Sequence, residues 1–140
     1  MPNTATRRTI LQTLAAGLAL AAPSEAAQIL DGVVTKESSK LDAQPFGDLR
    51  VYREGTTEQL KGLTVGSLEL KAGQSPHPPH THPEEEVLII TDGQAEISIT
   101  GKITKAGPGD VLYVGSNHLH GIVNNSHAPM TFYYVKWLGK

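Results

Sequence analysis

The sequence predicts an all-β protein, and two features of the chain support that prediction. From Phe46 onward, short runs rich in Val, Ile, Leu and Tyr are separated by Gly, Pro, Asp and Asn, which is typical of strands joined by tight turns. The 14 glycines and 9 prolines suit such turns and disfavour long helices. Because 140 residues is the length of one ordinary domain, we expect a single β-sandwich.

The first 26 residues have the order of a secretory signal peptide. Arg7 and Arg8 precede an apolar stretch over residues 10–22, which is too short for a membrane span. Ser24 and Ala26 then satisfy the small-x-small rule for cleavage after Ala26. The paired arginines ahead of an apolar run resemble the twin-arginine export signal, with an ordinary Sec signal as the alternative. Either route predicts a periplasmic or secreted protein.

The remaining chain divides into a polar segment over residues 27–45, which is either an N-terminal arm or an edge strand, and a β domain over residues 46–140. Residues 87–90 are apolar on both faces of their strand. That strand is therefore expected to lie in the middle of a sheet or to bury one face against a second subunit, and a homodimer is predicted. Strands are expected at residues 49–54, 63–71, 86–91, 95–100, 111–114, 121–124 and 130–138.

The composition restricts the chemistry of any functional site. The chain has no cysteine, so disulfides and thiol catalysis are excluded, and a metal must be held by nitrogen and oxygen ligands. The formal net charge of −2 gives no electrostatic reason to expect nucleic acid or an anionic membrane surface as a partner. We expect a small-molecule ligand or substrate, and no membrane contact once the signal peptide is removed.

Five of the six histidines form two tight groups in the second half of the chain. His80 and His82 are two residues apart, so in an extended segment they project to the same side, about 7 Å apart, and can share one ion. Glu86 follows at the start of a strand, where its carboxylate can return to the same face. His118 and His120 also share parity, so strand alternation does not decide which of them approaches the first group.

The residues around the first group resemble the first sequence motif of the cupin superfamily. That motif has a glycine, a spacer, H-x-H, three or four residues, a glutamate, six residues and a glycine. His80, His82, Glu86 and Gly93 fit this pattern, and the one departure is an extra residue between Gly73 and His80.

The second group resembles the second cupin motif, in which glycine, proline, glycine, histidine and asparagine recur at fixed spacing. With Gly109 at the first position, His120 takes the histidine position and Asn124 the asparagine position, so the resemblance selects His120 over His118. Gly115 stands at the proline position and Asn117 at the second glycine position, and both residue types suit a turn.

The resemblance implies a single cupin jelly-roll β-barrel with a short N-terminal arm and a metal in the barrel mouth. One divalent ion (Mn, Fe, Ni, Zn or Cu) is expected there. Four protein ligands on a six-coordinate ion would leave two positions for a substrate. The expected ligands are His80, His82, Glu86 and His120.

The expected function is a metal-dependent enzyme of the dioxygenase, isomerase or lyase type that acts on a small oxygen-rich metabolite. The alternatives are a non-catalytic metal or small-ligand binding protein and a barrel that the metal only stabilises. No catalytic residue outside the ligands is identified. The polar residues beside the ligands are expected at the pocket rim or in solvent, with support of the ligands or proton transfer as the alternative; they are His77, Glu84, Glu85 and His118.

Overall fold

The structure is a computed structural model that describes residues 25–140. The predicted signal peptide, residues 1–26, lies almost wholly outside the described residues and stays a prediction. Within residues 25–140 the chain forms strands and turns without any α-helix, so the all-β prediction is confirmed. Accordingly, this part of the chain contains no helix long and apolar enough to cross a bilayer.

The strands of the described chain form two antiparallel sheets. Six strands lie in the order β1-β2-β3-β9-β4-β7, and three lie in the order β6-β5-β8. Their bounds are β1 Lys40–Gln44, β2 Gly47–Gly55, β3 Leu60–Leu70, β4 Glu85–Asp92, β5 Ala95–Ile99, β6 Lys102–Ala106, β7 Val111–Val114, β8 His120–Val123 and β9 Met130–Gly139.

The core lies between the two sheets and draws on both. Side chains at alternate positions of the large sheet, such as Leu88, Ile90 and Phe132, pack against Ile97 and Ile122 of the small sheet. Burying each of these side chains stabilises the fold by about 1.5–3 kcal/mol. The same alternation fixes which residues of β4 and β9 face inward, and therefore which of their side chains can line a cavity beside the core.

Two strands of the structure have no counterpart among the predicted strands. β1 lies at one edge of the large sheet, within the segment expected to be an arm or an edge strand, and β6 lies at one edge of the small sheet. Nearly all residues of both strands are exposed. Because an exposed edge strand needs no apolar face, its sequence lacks the alternation that reveals buried strands.

The strand that is apolar on both faces, β4, lies between β9 and β7, so its predicted place in the middle of a sheet is confirmed. Its inner face is buried, whereas Ile89 on the outer face is 41% exposed and pairs with the exposed Val111 of β7. Tyr113 and Tyr133 extend this exposed apolar surface. The homodimer stays a prediction.

A buried asparagine ties the end of β8 to two other parts of the chain. Asn124 is 0% exposed, and its side-chain Nδ2 donates to the carbonyl oxygens of Leu70, Lys71 and Ala128 at 3.1, 3.2 and 2.8 Å. Its Oδ1 accepts from the amide and the hydroxyl of Ser126. These bonds hold β8 in place, and β8 begins with His120.

Candidate metal centre

The two histidine groups are brought together by backbone hydrogen bonds between the β3–β4 loop and the segment that leads into β8. His80 and His120 form an isolated antiparallel bridge, with each amide donating to the other's carbonyl at 2.9 and 3.0 Å. The amide of Asn117 donates to the carbonyl of His82 at 2.8 Å. The neighbourhood that the two motifs predicted is therefore built by direct pairing.

Three imidazoles surround one point. The ring centroids of His80, His82 and His120 lie 4.8–5.2 Å apart, with interplanar angles of 65–87°. A ligand atom of each ring lies within 4.8 Å of one in each of the others. These three side chains could hold one metal ion, and His120 rather than His118 belongs to the cluster.

Two of the three rings are oriented by backbone carbonyls. Nδ1 of His120 donates to the carbonyl of His118 at 2.8 Å, and Nδ1 of His82 donates to the carbonyl of Glu84 at 3.1 Å. A carbonyl oxygen can only accept, so Nδ1 carries the hydrogen in both rings, and the neutral imidazole keeps its lone pair on Nε2. Such outer hydrogen bonds fix the tautomer of a metal-binding histidine.

Glu86, the second residue of β4, lies against both of these Nε2 atoms. Its Oε2 is 3.4 Å from Nε2 of His82 and 3.2 Å from Nε2 of His120. Nε2 of His120 is buried and has no hydrogen-bond partner among the described residues. When the ring is neutral, with its hydrogen on Nδ1, the lone pair of Nε2 faces a carboxylate oxygen, and a proton or a metal ion between the two atoms would make this contact favourable.

His80 is neutral near neutral pH. Burial of its ring, helped by repulsion from neighbouring histidines and from Lys136, lowers the pKa of His80 to about 4. Neutral imidazole is the form that binds a metal, so protons do not compete for this ring until the solution is strongly acidic.

The four polar neighbours of the ligands occupy different places. The ring of His77 stacks on that of His80, with centroids 3.7 Å apart and planes 24° apart. Glu84 approaches Nδ1 of His82 with Oε2 at 3.4 Å. Glu85 points to the outer face of the sheet, where it accepts hydrogen bonds from a tyrosine and a tryptophan. His118 contributes its carbonyl to the cluster, while its ring packs against Gly115.

The histidines open into a cavity of about 220 Å³ with a largely apolar wall. This is below the range of roughly 300–1,000 Å³ that holds drug-sized ligands, so the cavity suits a small molecule. Two polar residues of β9 that are not among the predicted site residues also line it, Tyr134 and Lys136. Burial, and then the negative charge of Glu86, raise the pKa of Tyr134, so its phenol stays protonated.

The unusual residue at the second glycine position of the second motif adopts a glycine-like conformation. Asn117 has φ 59°, in the left-handed region that asparagine tolerates better than most residues. The substitution therefore preserves the turn before His120.

Comparison with known families and structures agrees with this architecture. A family model described as a cupin domain matches residues 66–136, which is half of the chain and includes all six histidines. No curated protein sequence matches the chain.

Solved structures of similar fold share little sequence with this chain. An RmlC-like cupin from Shewanella frigidimarina is 15% identical with a TM-score of 0.65, over 79% of this chain and 94% of that one. A polyketide cyclase from Streptomyces resistomycificus is 17% identical with a TM-score of 0.63, over 77% and 80% of the two chains. A predicted oxalate decarboxylase from Thermotoga maritima is 20% identical with a TM-score of 0.62, over 76% and 99%. These likenesses support the jelly-roll barrel.

Proposed function

This chain belongs to the cupin domain family, and we propose that it is an exported metal-dependent enzyme that acts on a small oxygen-rich metabolite. One divalent ion would be held by His80, His82 and His120 together with Glu86. The substrate would enter the apolar cavity in front of these side chains.

The observation that carries the proposal is the close approach of Oε2 of Glu86 to Nε2 of both His82 and His120. Two atoms that ligate one ion at right angles, each at about 2.1 Å, are about 3 Å apart. The separations from Oε2 of Glu86, 3.2 and 3.4 Å, fit that arrangement. A bound cation would also satisfy the buried Nε2 of His120, which otherwise costs about 1–3 kcal/mol as an unpaired polar atom.

The chemistry of the donor set favours Mn, Fe, Ni, Zn or Cu, because imidazole and carboxylate ligands suit these ions. A bound ion would supply Lewis acidity for isomerase, lyase or dioxygenase chemistry on a chelating substrate. The chain itself would exclude water with its apolar wall, and its carbonyls of His118 and Glu84 would keep the histidines aimed inward.

Metal analysis of the purified full chain tests the proposal, with His120→Ala as the variant and His118→Ala as the matched control. We expect about one equivalent of a transition metal in the wild type and in His118→Ala, and a loss of at least tenfold in affinity in His120→Ala. Equal metal content in all three proteins would refute the proposed centre. Turnover is then sought with a panel of keto acids, hydroxy acids, sugars and diols, with and without oxygen.

A second candidate, a metal or small-ligand binding protein without catalysis, is favoured by the position of Glu85. Tyr113 and Trp137 hold its carboxylate on the outer face, so the carboxylate nearest in sequence to Glu86 cannot transfer protons in the cavity. A small molecule that raises the melting temperature of the metal-loaded protein, yet is recovered unchanged after long incubation, would support this candidate over the enzyme.

Export is the part of the proposal that rests on the N-terminal sequence alone. Replacing Arg7 and Arg8 with lysines keeps the positive charge, which a Sec signal tolerates and a twin-arginine signal does not. We expect the double variant to remain unprocessed in the cytoplasm, whereas the wild type is recovered outside it with residue 27 at its N-terminus. Normal export of the variant would favour the Sec route.

A further inference from the structure

We propose that Lys136 is the residue that selects the substrate, and that the substrate carries a carboxylate which its ammonium binds while the rest of the molecule reaches the metal. This inference rests on the proposed metal centre and names the chemical class of ligand that the cavity takes.

The position of Lys136 on the inner face of β9 follows from strand register. It pairs directly with Glu86 of β4, and it is two residues beyond Tyr134 and four beyond the buried Phe132, so all three side chains of β9 face inward. Lys136 lines the same cavity as the histidines.

The ammonium of Lys136, a half-buried residue, is available to an anionic ligand. Among the described residues, Lys136 forms no salt bridge, although Glu86 is its cross-strand neighbour. The carboxylate of Glu86 is directed at the histidines, where the proposed ion would take up its charge. Glu54, two strands away in the same cross-strand row, is exposed.

The net charge at the mouth of the cavity therefore favours binding of an anion. A divalent ion, one carboxylate and one ammonium give a local charge of about +2, because the histidines are neutral ligands. The largely apolar wall strengthens electrostatic attraction to a ligand that enters it. A molecule with one group on the metal and a second, anionic group on Lys136 would compensate both charges.

The test uses the full chain loaded with Ni(II), and measures by calorimetry the binding of malonate, succinate and glutarate beside the monoamide of each. The monoamides have nearly the same shape and lack one negative charge. We expect at least one diacid to bind about tenfold to a hundredfold more tightly than its monoamide, which is typical of a hydrogen bond between charged groups.

Variants assign that preference to one side chain. Lys136→Met should abolish the difference between diacid and monoamide, and Lys136→Arg should keep most of it. Lys61→Met is the matched control, because it removes the same charge from an exposed position on β3. The preference should survive that change.

Three results would overturn the inference. Equal binding of diacids and monoamides by the wild type does so without any variant, and so does a preference that persists in Lys136→Met. Wild-type protein that takes up no Ni(II) would overturn the proposed metal centre as well. Normal Ni(II) uptake without a carboxylate preference would overturn only the role of Lys136.

Discussion

Replacing Asn124 tests whether the asparagine of the second motif serves the fold rather than the chemistry. Its amide donates to three carbonyls, those of Leu70, Lys71 and Ala128, and accepts twice from Ser126, all at a fully buried position. With about 1 kcal/mol for each of the two N–H donors, one of them shared between two carbonyls, and about 1 kcal/mol for the oxygen that accepts from Ser126, Asn124→Ala should destabilise the protein by about 3 kcal/mol. For a domain of this size, that lowers the melting temperature by about 10 °C.

The neighbouring asparagine provides the control for this measurement. Asn125 is exposed, and its side chain donates only to Glu96, so Asn125→Ala should cost less than about 0.5 kcal/mol. Asn124→Asp keeps the volume but turns a carboxylate oxygen toward carbonyl oxygens, so it should destabilise at least as much as alanine. Thermal and denaturant unfolding of the metal-free proteins give the values. A loss in Asn124→Ala no larger than that in Asn125→Ala would refute the hydrogen-bond argument.

Three further predictions concern the metal, the pH response and the packing of the sheet. Chelation should lower the melting temperature of the wild type by an amount equivalent to about 4 kcal/mol if free metal had been at 1,000 times its Kd, and a tenfold weaker site in His120→Ala should reduce that effect by at least about 1.4 kcal/mol; an equal response of both proteins contradicts this. The metal-free protein should lose stability as the pH falls from 6.5 to about 4, because in that interval the unfolded chain protonates His80 and the folded chain does not. His80→Asn should flatten this pH profile of the melting temperature, and identical profiles would argue against the shift. Gly66→Ala should lower the free energy of unfolding by about 1–3 kcal/mol, because a Cβ there would lie 2.4 Å from the Tyr134 ring. Gly62→Ala is the control and should be nearly neutral, because a Cβ there meets nothing within 4 Å. Equal effects of the two substitutions in chemical unfolding would exclude the clash.

The strands that pack on the core could be predicted from the sequence, because burial requires a regular pattern of apolar residues. The strand over residues 95–99 has alternating apolar residues because one face packs on the core, and residues 87–90 are apolar on both faces of β4, which lies between two other strands. The edge strands β1 and β6 lack such an apolar pattern, since their stability comes from backbone pairing with β2 and β5. Both pairings are hairpins with the adjacent strand, and backbone hydrogen bonds of this kind require no particular pattern of side chains.

The site was predictable in its residue types but not in its details. Strand parity cannot separate His118 from His120, and the structure separates them through the bridge between His80 and His120. The sequence does not predict that Lys136 faces inward, because β9 has apolar residues on both faces and therefore shows no alternation. Stacking of His77 on His80 depends on the path of a proline-rich loop, which has no periodicity to interpret.

The way the ligands are supported links metal binding to completion of the fold. Glu86 belongs to a strand of the large sheet, His120 begins a strand of the small sheet, and His80 lies in a loop that meets His120 only through paired backbone bonds. His120 reaches the other proposed ligands only when the two sheets have packed, so an unfolded chain offers at most the local group His80, His82 and Glu86. A metal bound here is acquired by an essentially folded protein. If the N-terminal arginines direct the chain to the twin-arginine route, which carries folded cargo, the cytoplasm then supplies the ion before the barrel meets its substrate.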